Sequence, residues 1–150
     1  GLVKQRGVVF PHPVWRALRL YSTHDGIQPV QVHVTCPNFA CTGEWLTKVD
    51  DIPQIDAVGL VSADRSSLVV FLTNRSVDQA VTVDLEVGGF TPMEQCSLSQ
   101  LSGDSFLSRN TWEEPEQVRI KAQKVAMKDG RLQQTLPSHS LTRLGFAVGN

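Results

Sequence analysis

The chain has 150 residues, enough for one domain with a sizeable core. Its 41% hydrophobic and 19% charged residues exclude wholesale disorder, and its net charge of −1 gives no global field toward nucleic acid or a membrane surface. No apolar run is long enough to span a bilayer, so neither kind of partner is expected.

The first elements read as strand then helix. Val8-Val9-Phe10 is a short apolar run, followed by Pro11-His12-Pro13. Pro13 suits the first helical turn, where its missing N–H is not needed. A helix is predicted over 14–24, with Val14, Leu18 and Tyr21 on one face at i, i+4 and i+7. Trp15, Ala17 and Leu20 widen that face; Arg16, Arg19 and Ser22 are the polar side. Asp25-Gly26 ends it, with glycine as the C-terminal cap. No second helix carries a matching stripe.

The rest reads as strands. Residues 27–35 place Val30, Val32 and Val34 on one face, with Pro29 at a strand start or edge. Residues 36–53 show no period and are expected to form a long loop. Strands are predicted over 55–63 and 67–74 around an Asp64-Arg65-Ser66 turn. The second, through Leu68-Val69-Val70-Phe71-Leu72, is apolar on both faces, as an interior strand is. Residues 80–87 alternate, with Val81, Val83, Leu85 and Val87 inward. A weaker strand is expected over 94–101 and a loop over 105–116. A strand over 118–122 resumes after a break at 125–127. Asp129-Gly130 opens a last strand pair, Arg131–Leu136 and the segment to Val148, interrupted by Pro137. In the final segment Thr142, Leu144, Phe146 and Val148 share one face, and Arg143, Gly145 and Ala147 the other. Seven or eight short strands spaced by turns argue a mainly β protein, a sandwich or jelly roll.

Candidate chemistry is sparse. A retaining glycosidase needs two carboxyls roughly 5–5.5 Å apart across a substrate. Glu113-Glu114 and Asp50-Asp51 are chain neighbours that point to opposite faces when extended, so neither is read as a catalytic pair. His33, Cys36 and Cys41 have ligand chemistry, but a structural zinc site wants four ligands, and a strand histidine with two loop thiols is the plainer reading. No metal or cofactor is expected. His24 and His139, at a helix end and a turn, read as backbone caps or bridges. Trp15 reads as packing, whereas Trp45 and Trp112, in loops, raise a sugar-stacking surface without forming a platform by themselves. Arg119, Lys121 and Lys124 read as a solvated strand face. Three cysteines are an odd count, which favours a reduced, cytoplasmic setting over a secreted one. A Cys36–Cys41 disulfide is the alternative and leaves Cys96 unpaired. Asn74-Arg75-Ser76 has the form of a glycosylation sequon, relevant only in a secretory context.

Several stretches together resemble the C-terminal part of the family 51 glycoside hydrolases, the α-L-arabinofuranosidases. The Asp129-Gly130 turn, a short strand, Leu136-Pro137-Ser138-His139-Ser140 and an apolar strand are similar to that family's closing segment, with Ser138 where it has a second proline. Leu101-Ser102-Gly103-Asp104 and Asn110-Thr111-Trp112-Glu113-Glu114-Pro115 are similar to its Leu-(Thr/Ser)-Gly-Asp and Asn-Thr-Phe-Glu-Asn-Pro. Ile55-Asp56-Ala57, Leu68–Leu72, Asn74 and Gly88-Gly89-Phe90 follow its order. His12-Pro13-Val14-Trp15 and Tyr21-Ser22-Thr23-His24 resemble the end of its catalytic barrel, with Trp15 and His12 departing from the family's Tyr and Thr. Residues 36–54 have no counterpart.

The resemblance implies a jelly-roll β-sandwich over 27–150, preceded at 1–26 by the last strand and helix of a (β/α)8 barrel. It implies a parent enzyme that removes terminal α-L-arabinofuranosyl groups from arabinan, arabinoxylan and related oligosaccharides. The two catalytic glutamates of that family lie on earlier barrel strands, so no catalytic residue is carried over and this chain alone is expected to be inactive. The partners implied are the catalytic barrel and, through the parent, arabinose-containing polysaccharide. Family 51 sandwiches can also borrow a strand from the enzyme's N-terminus. Self-association through Val14, Trp15, Leu18 and Tyr21 is expected where the barrel is missing. The alternatives are a free-standing carbohydrate-binding module and a purely structural interaction domain; sandwiches host all three.

Overall fold

The computed structural model describes residues 1–148. The chain opens with a hairpin of β1 (Leu2–Gln5) and β2 (Val8–Pro11), then helix α1 (Pro13–Ser22). Then come β3 (Gln28–Val30), β4 (Asn38–Gly43), β5 (Leu46–Pro53), β6 (Ile55–Val61) and β7 (Ser67–Asn74). The remaining strands are β8 (Val81–Glu86), β9 (Pro92–Ser102), β10 (Arg119–Ala126), β11 (Arg131–Leu136) and β12 (Ser140–Val148).

Six antiparallel strands form the main sheet, in the order β10-β9-β12-β7-β6-β3. A two-stranded sheet, β11-β8, packs on one face of it, and the protein is a β-sandwich. The core between the layers holds Leu68, Val70 and Leu72 of β7, Leu98 of β9, Leu144 and Phe146 of β12, and Leu132 and Leu136 of β11. The opposite face of the main sheet carries Val69, Phe71, Leu101 and Leu141, and Leu20 of α1 closes over them. Strand β7 is therefore apolar on both faces because it is covered on both.

The structure corrects several expectations and adds one strand. The last two strands are not partners: β11 pairs with β8, while β12 lies between β7 and β9. The turn at Pro137–His139 carries the chain from one layer to the other. Residues 38–53 are not a loop but a hairpin, β4 against β5. Its register shifts twice, and Asp51 sits at φ 59°, so β5 loses the two-residue period that marks a strand. The strand predicted over 27–35 is only Gln28–Val30. Strand β10 runs without a break. A first strand, β1, joins β2 through Arg6 and Gly7, both at positive φ (49° and 81°). That two-residue turn suits a hairpin.

Three side chains tie the connections together. Asn110, buried, accepts from Val118 N (2.7 Å) and donates to Val118 O (3.0 Å) and Pro11 O (2.8 Å), fixing the first hairpin to the start of β10. Asn74, 1% exposed, donates to Gln79 O, Leu136 O and Pro137 O. Asp64 accepts from Ser62 Oγ, Ser66 N and Ser66 Oγ in the β6–β7 turn. These bonds hold its carboxyl down at about 2 from 3.8, so their support is present at neutral pH and fades as pH falls through that interval.

Leu144 is fully buried on the central strand, so Leu144→Ala is expected to cost about 2–5 kcal/mol. Val58→Ala, at a side chain 47% exposed, is expected to stay within about 0.5 kcal/mol. Urea unfolding of the two variants checks the contrast.

Candidate functional site

The catalytic candidates do not converge. Glu113 and Glu114 lie exposed in the loop between β9 and β10. The Glu114 backbone builds a turn, its N–H donating to Thr111 Oγ1 (3.0 Å) and its carbonyl accepting from Thr111 N and Gln117 N. Asp50 pairs with Lys48 (2.9 Å) on the β4–β5 hairpin, and Asp51 occupies the bulge beside it. His33 is exposed, with Nε2 3.5 Å from Thr35 Oγ1. Cys36 is half-buried against Ile55, whose N–H points to its sulfur (3.5 Å), Cys41 is exposed on the hairpin, and both thiols are free. Among the described residues no three His, Cys, Asp or Glu side chains gather as a metal site.

The histidines and tryptophans act locally. His24 Nδ1 accepts from Gly26 N (3.1 Å), shaping the exit from α1. The two ring nitrogens of His139 face Val77 O (2.9 Å) and Gly103 O (3.1 Å), so this side chain spans two loops at one end of the sandwich. Trp112 lies under the Arg6 guanidinium at 4.6 Å and Trp15 under that of Arg19 at 5.5 Å. Trp45, 90% exposed, stands by itself at the tip of the β4–β5 hairpin. These rings form no shared stacking face. Arg119, Lys121 and Lys124 are exposed along β10.

What the fold does assemble is a two-sided helix. One side of α1 rests on the main sheet. Leu20 is 2% exposed, Ala17 packs beside it, and the Tyr21 ring lies 4.7 Å from that of Phe71. Arg16 pairs with Glu116. The other side is uncovered: Val14 is 56% and Leu18 61% exposed, and Tyr21 keeps 45% of its surface in solvent. The first hairpin adds exposed Leu2 and Val9 to the same unit. The sequence stripe Val14–Leu18–Tyr21 thus largely faces away from the sandwich. The sheet takes the Ala17–Leu20 side, because Leu20 fits between Val69, Phe71 and Leu141.

A second unfilled feature lies beside β8. Among the described residues that strand pairs with β11 alone. Along its other edge runs a groove of about 850 Å³, walled by Val30, Val32 and Val34 and floored by Ile55, Val70 and Leu72. The family resemblance implied a bare edge where a borrowed strand would lie, but not which strand carries it, since an unpaired edge leaves no mark on a strand's own alternation.

The comparisons agree with this architecture. The sequence profile of the family described as "Alpha-L-arabinofuranosidase C-terminal domain" matches residues 2–140. The chain belongs to that family. No curated protein sequence matches it. Among solved structures it is similar to an α-L-arabinofuranosidase from Thermotoga maritima in complex with arabinose, at 23% identity and a TM-score of 0.87, over 96% of this chain and 30% of that one. A thermostable family 51 α-L-arabinofuranosidase from Thermotoga petrophila matches at 23% identity and a TM-score of 0.87, over 96% and 31%. A family 51 arabinofuranosidase from Xanthomonas axonopodis pv. citri matches at 20% identity and a TM-score of 0.78, over 97% and 28%. The chain therefore spans about a third or less of the solved enzymes it matches.

The three thiols are expected to react in order of access. Cys41 is exposed and Cys36 half-buried, whereas Cys96 is 2% exposed and its thiol is pushed up to about 11 by burial. At pH 8 a maleimide should label Cys41 first and reach Cys96 only after denaturant is added; mass spectrometry of the labelled peptides checks this.

Proposed function

We propose that this chain is the non-catalytic C-terminal sandwich of a retaining α-L-arabinofuranosidase, and that its α1 face is the seat of the catalytic barrel. The observation that carries this reading is the two-sided helix. Its apolar arc is wider than the sheet covers: Leu20 and Ala17 are seated, while Val14 and Leu18 stay exposed, and an uncovered apolar patch of this kind fits a second body. Residues 1–26 then serve both bodies as the last strand and helix of the barrel, and 27–150 form the sandwich. The parent enzyme removes terminal arabinofuranosyl groups from arabinan, arabinoxylan and related oligosaccharides. The groove beside β8 takes the strand that family 51 sandwiches borrow from the enzyme's N-terminus. Three free thiols support a cytoplasmic setting.

Two outcomes follow. Glu113 and Glu114 lie exposed in a loop, Asp50 pairs with Lys48, and no catalytic glutamate of the family is carried over to this chain, so the purified chain should leave aryl α-L-arabinofuranosides intact. Turnover above a blank that survives repurification would overturn the non-catalytic reading. With the barrel absent, the uncovered face of α1 should bind a second copy, since burying each such side chain stabilises by roughly 1.5–3 kcal/mol. Light scattering of the chain should show a dimer or larger species, and Val14→Glu/Leu18→Glu a monomer. A monomer in both cases, or an oligomer that survives the substitutions, rules out association through this face.

A further inference from the structure

We propose that Arg143 and Phe71 are positioning residues for the docking face, pinning α1 to the sheet before the barrel arrives. The inference rests on the reading of α1 as the docking element and identifies what sets its orientation.

Arg143 of β12 and Phe71 of β7 are direct register partners on the outer face of the main sheet. Arg143 Nη1 donates to Thr23 O (2.7 Å), Thr23 Oγ1 (2.9 Å) and Leu20 O (3.3 Å). Two of these acceptors are carbonyls at the end of the helix, where backbone acceptors lack intrahelical donors and the macrodipole is negative; the third is the Thr23 hydroxyl. A charged donor there makes stronger bonds than a neutral one. The Thr23 hydroxyl in turn donates to Arg19 O (2.7 Å), so the link runs from the sheet through the cap into the last turn. Phe71 receives the other two groups at this end. The Tyr21 ring lies 4.7 Å from it, and the His24 ring meets it edge-on at 5.3 Å. The chain then leaves through Gly26, where a Cβ would come within 2.8 Å of Leu60 Cβ.

The seat is needed because α1 is short. Ten residues are too few for a helix to hold by itself in water. Pinned at its C-terminal end, α1 holds Val14 and Leu18 at a fixed angle to the sandwich. A partner then meets a preformed surface, and the ordering of the helix is not charged against docking.

The test is hydrogen exchange on the full chain, comparing wild type with Arg143→Gln, Arg143→Lys and Phe71→Leu. Amides of 16–23 should exchange at least about tenfold faster in Arg143→Gln, while those of β7, β9 and β12 change less than about threefold. Arg143→Lys should recover part of the helix protection, because an ammonium can still donate to the same carbonyls. Phe71→Leu keeps the strand apolar while removing the ring and should give the same helix-selective pattern; it decides the matter if Arg143→Gln does not fold. Unchanged helix amides, or equal acceleration of helix and sheet, overturns the proposal. This readout needs no partner, so it stands or falls separately from the light-scattering result.

Discussion

Strand β12 is hydrogen-bonded on both sides, to β7 and to β9, and its two faces serve two different bodies. Leu144 and Phe146 point into the sandwich core, and Leu141 and Arg143 toward the helix. Side chains alternate along a strand, so a slip of one residue exchanges these faces. The core would receive an arginine, and the helix would lose its seat. Register is therefore fixed twice, once by apolar burial beneath and once by the cap above. Burial is non-directional and the cap is directional, so together they specify both depth and orientation.

The two layers of the sandwich are unequal. The main sheet has six strands and its partner two. On one face the deficit is met by α1; on the other, β8 keeps an open edge over apolar floor residues. An exposed edge of this kind invites another strand. The domain is thus unfinished at two places, an uncovered helix side and an uncovered strand edge. Both are complementary to the reading of a part taken from a larger enzyme.

How much of this was legible follows from what each signal encodes. Alternation tells which face a side chain occupies, so the inward set of β12 and the two-sided burial of β7 were readable. Alternation does not tell which strand lies alongside, so β11 and β12 looked like a pair although Pro137–His139 carries the chain between layers. The β4–β5 hairpin was hidden because its bulges place Val49 and Ile52, three residues apart, opposite Cys41 and Phe39. The hydrophobic stripe of α1 was visible, but its apolar arc is broad, running from Leu20 through Ala17 to Leu18, and no rule assigned Leu20 rather than Leu18 to the sheet. Alternation placed Arg143 on the face of the last strand away from Leu144 and Phe146; only the arrival of a helix end above it gives it a role. The family motifs were informative for a physical reason. Asn110 and His139 hold loops together through backbone carbonyls, a task that few other side chains can perform.

The burial of Asn74 has a consequence for where such a domain can be made. Its side-chain nitrogen, the atom an oligosaccharide is attached to, is committed to three carbonyls in the folded protein. The sequon is therefore accessible only on the nascent, unfolded chain. A glycan added there replaces one of the amide hydrogens and places a bulky polar group where β7 meets the Pro137 turn. Folding and glycosylation at this position exclude each other. A host that translocates the chain before it folds sets those two fates in competition, whereas synthesis in a compartment without the transferase avoids the choice altogether.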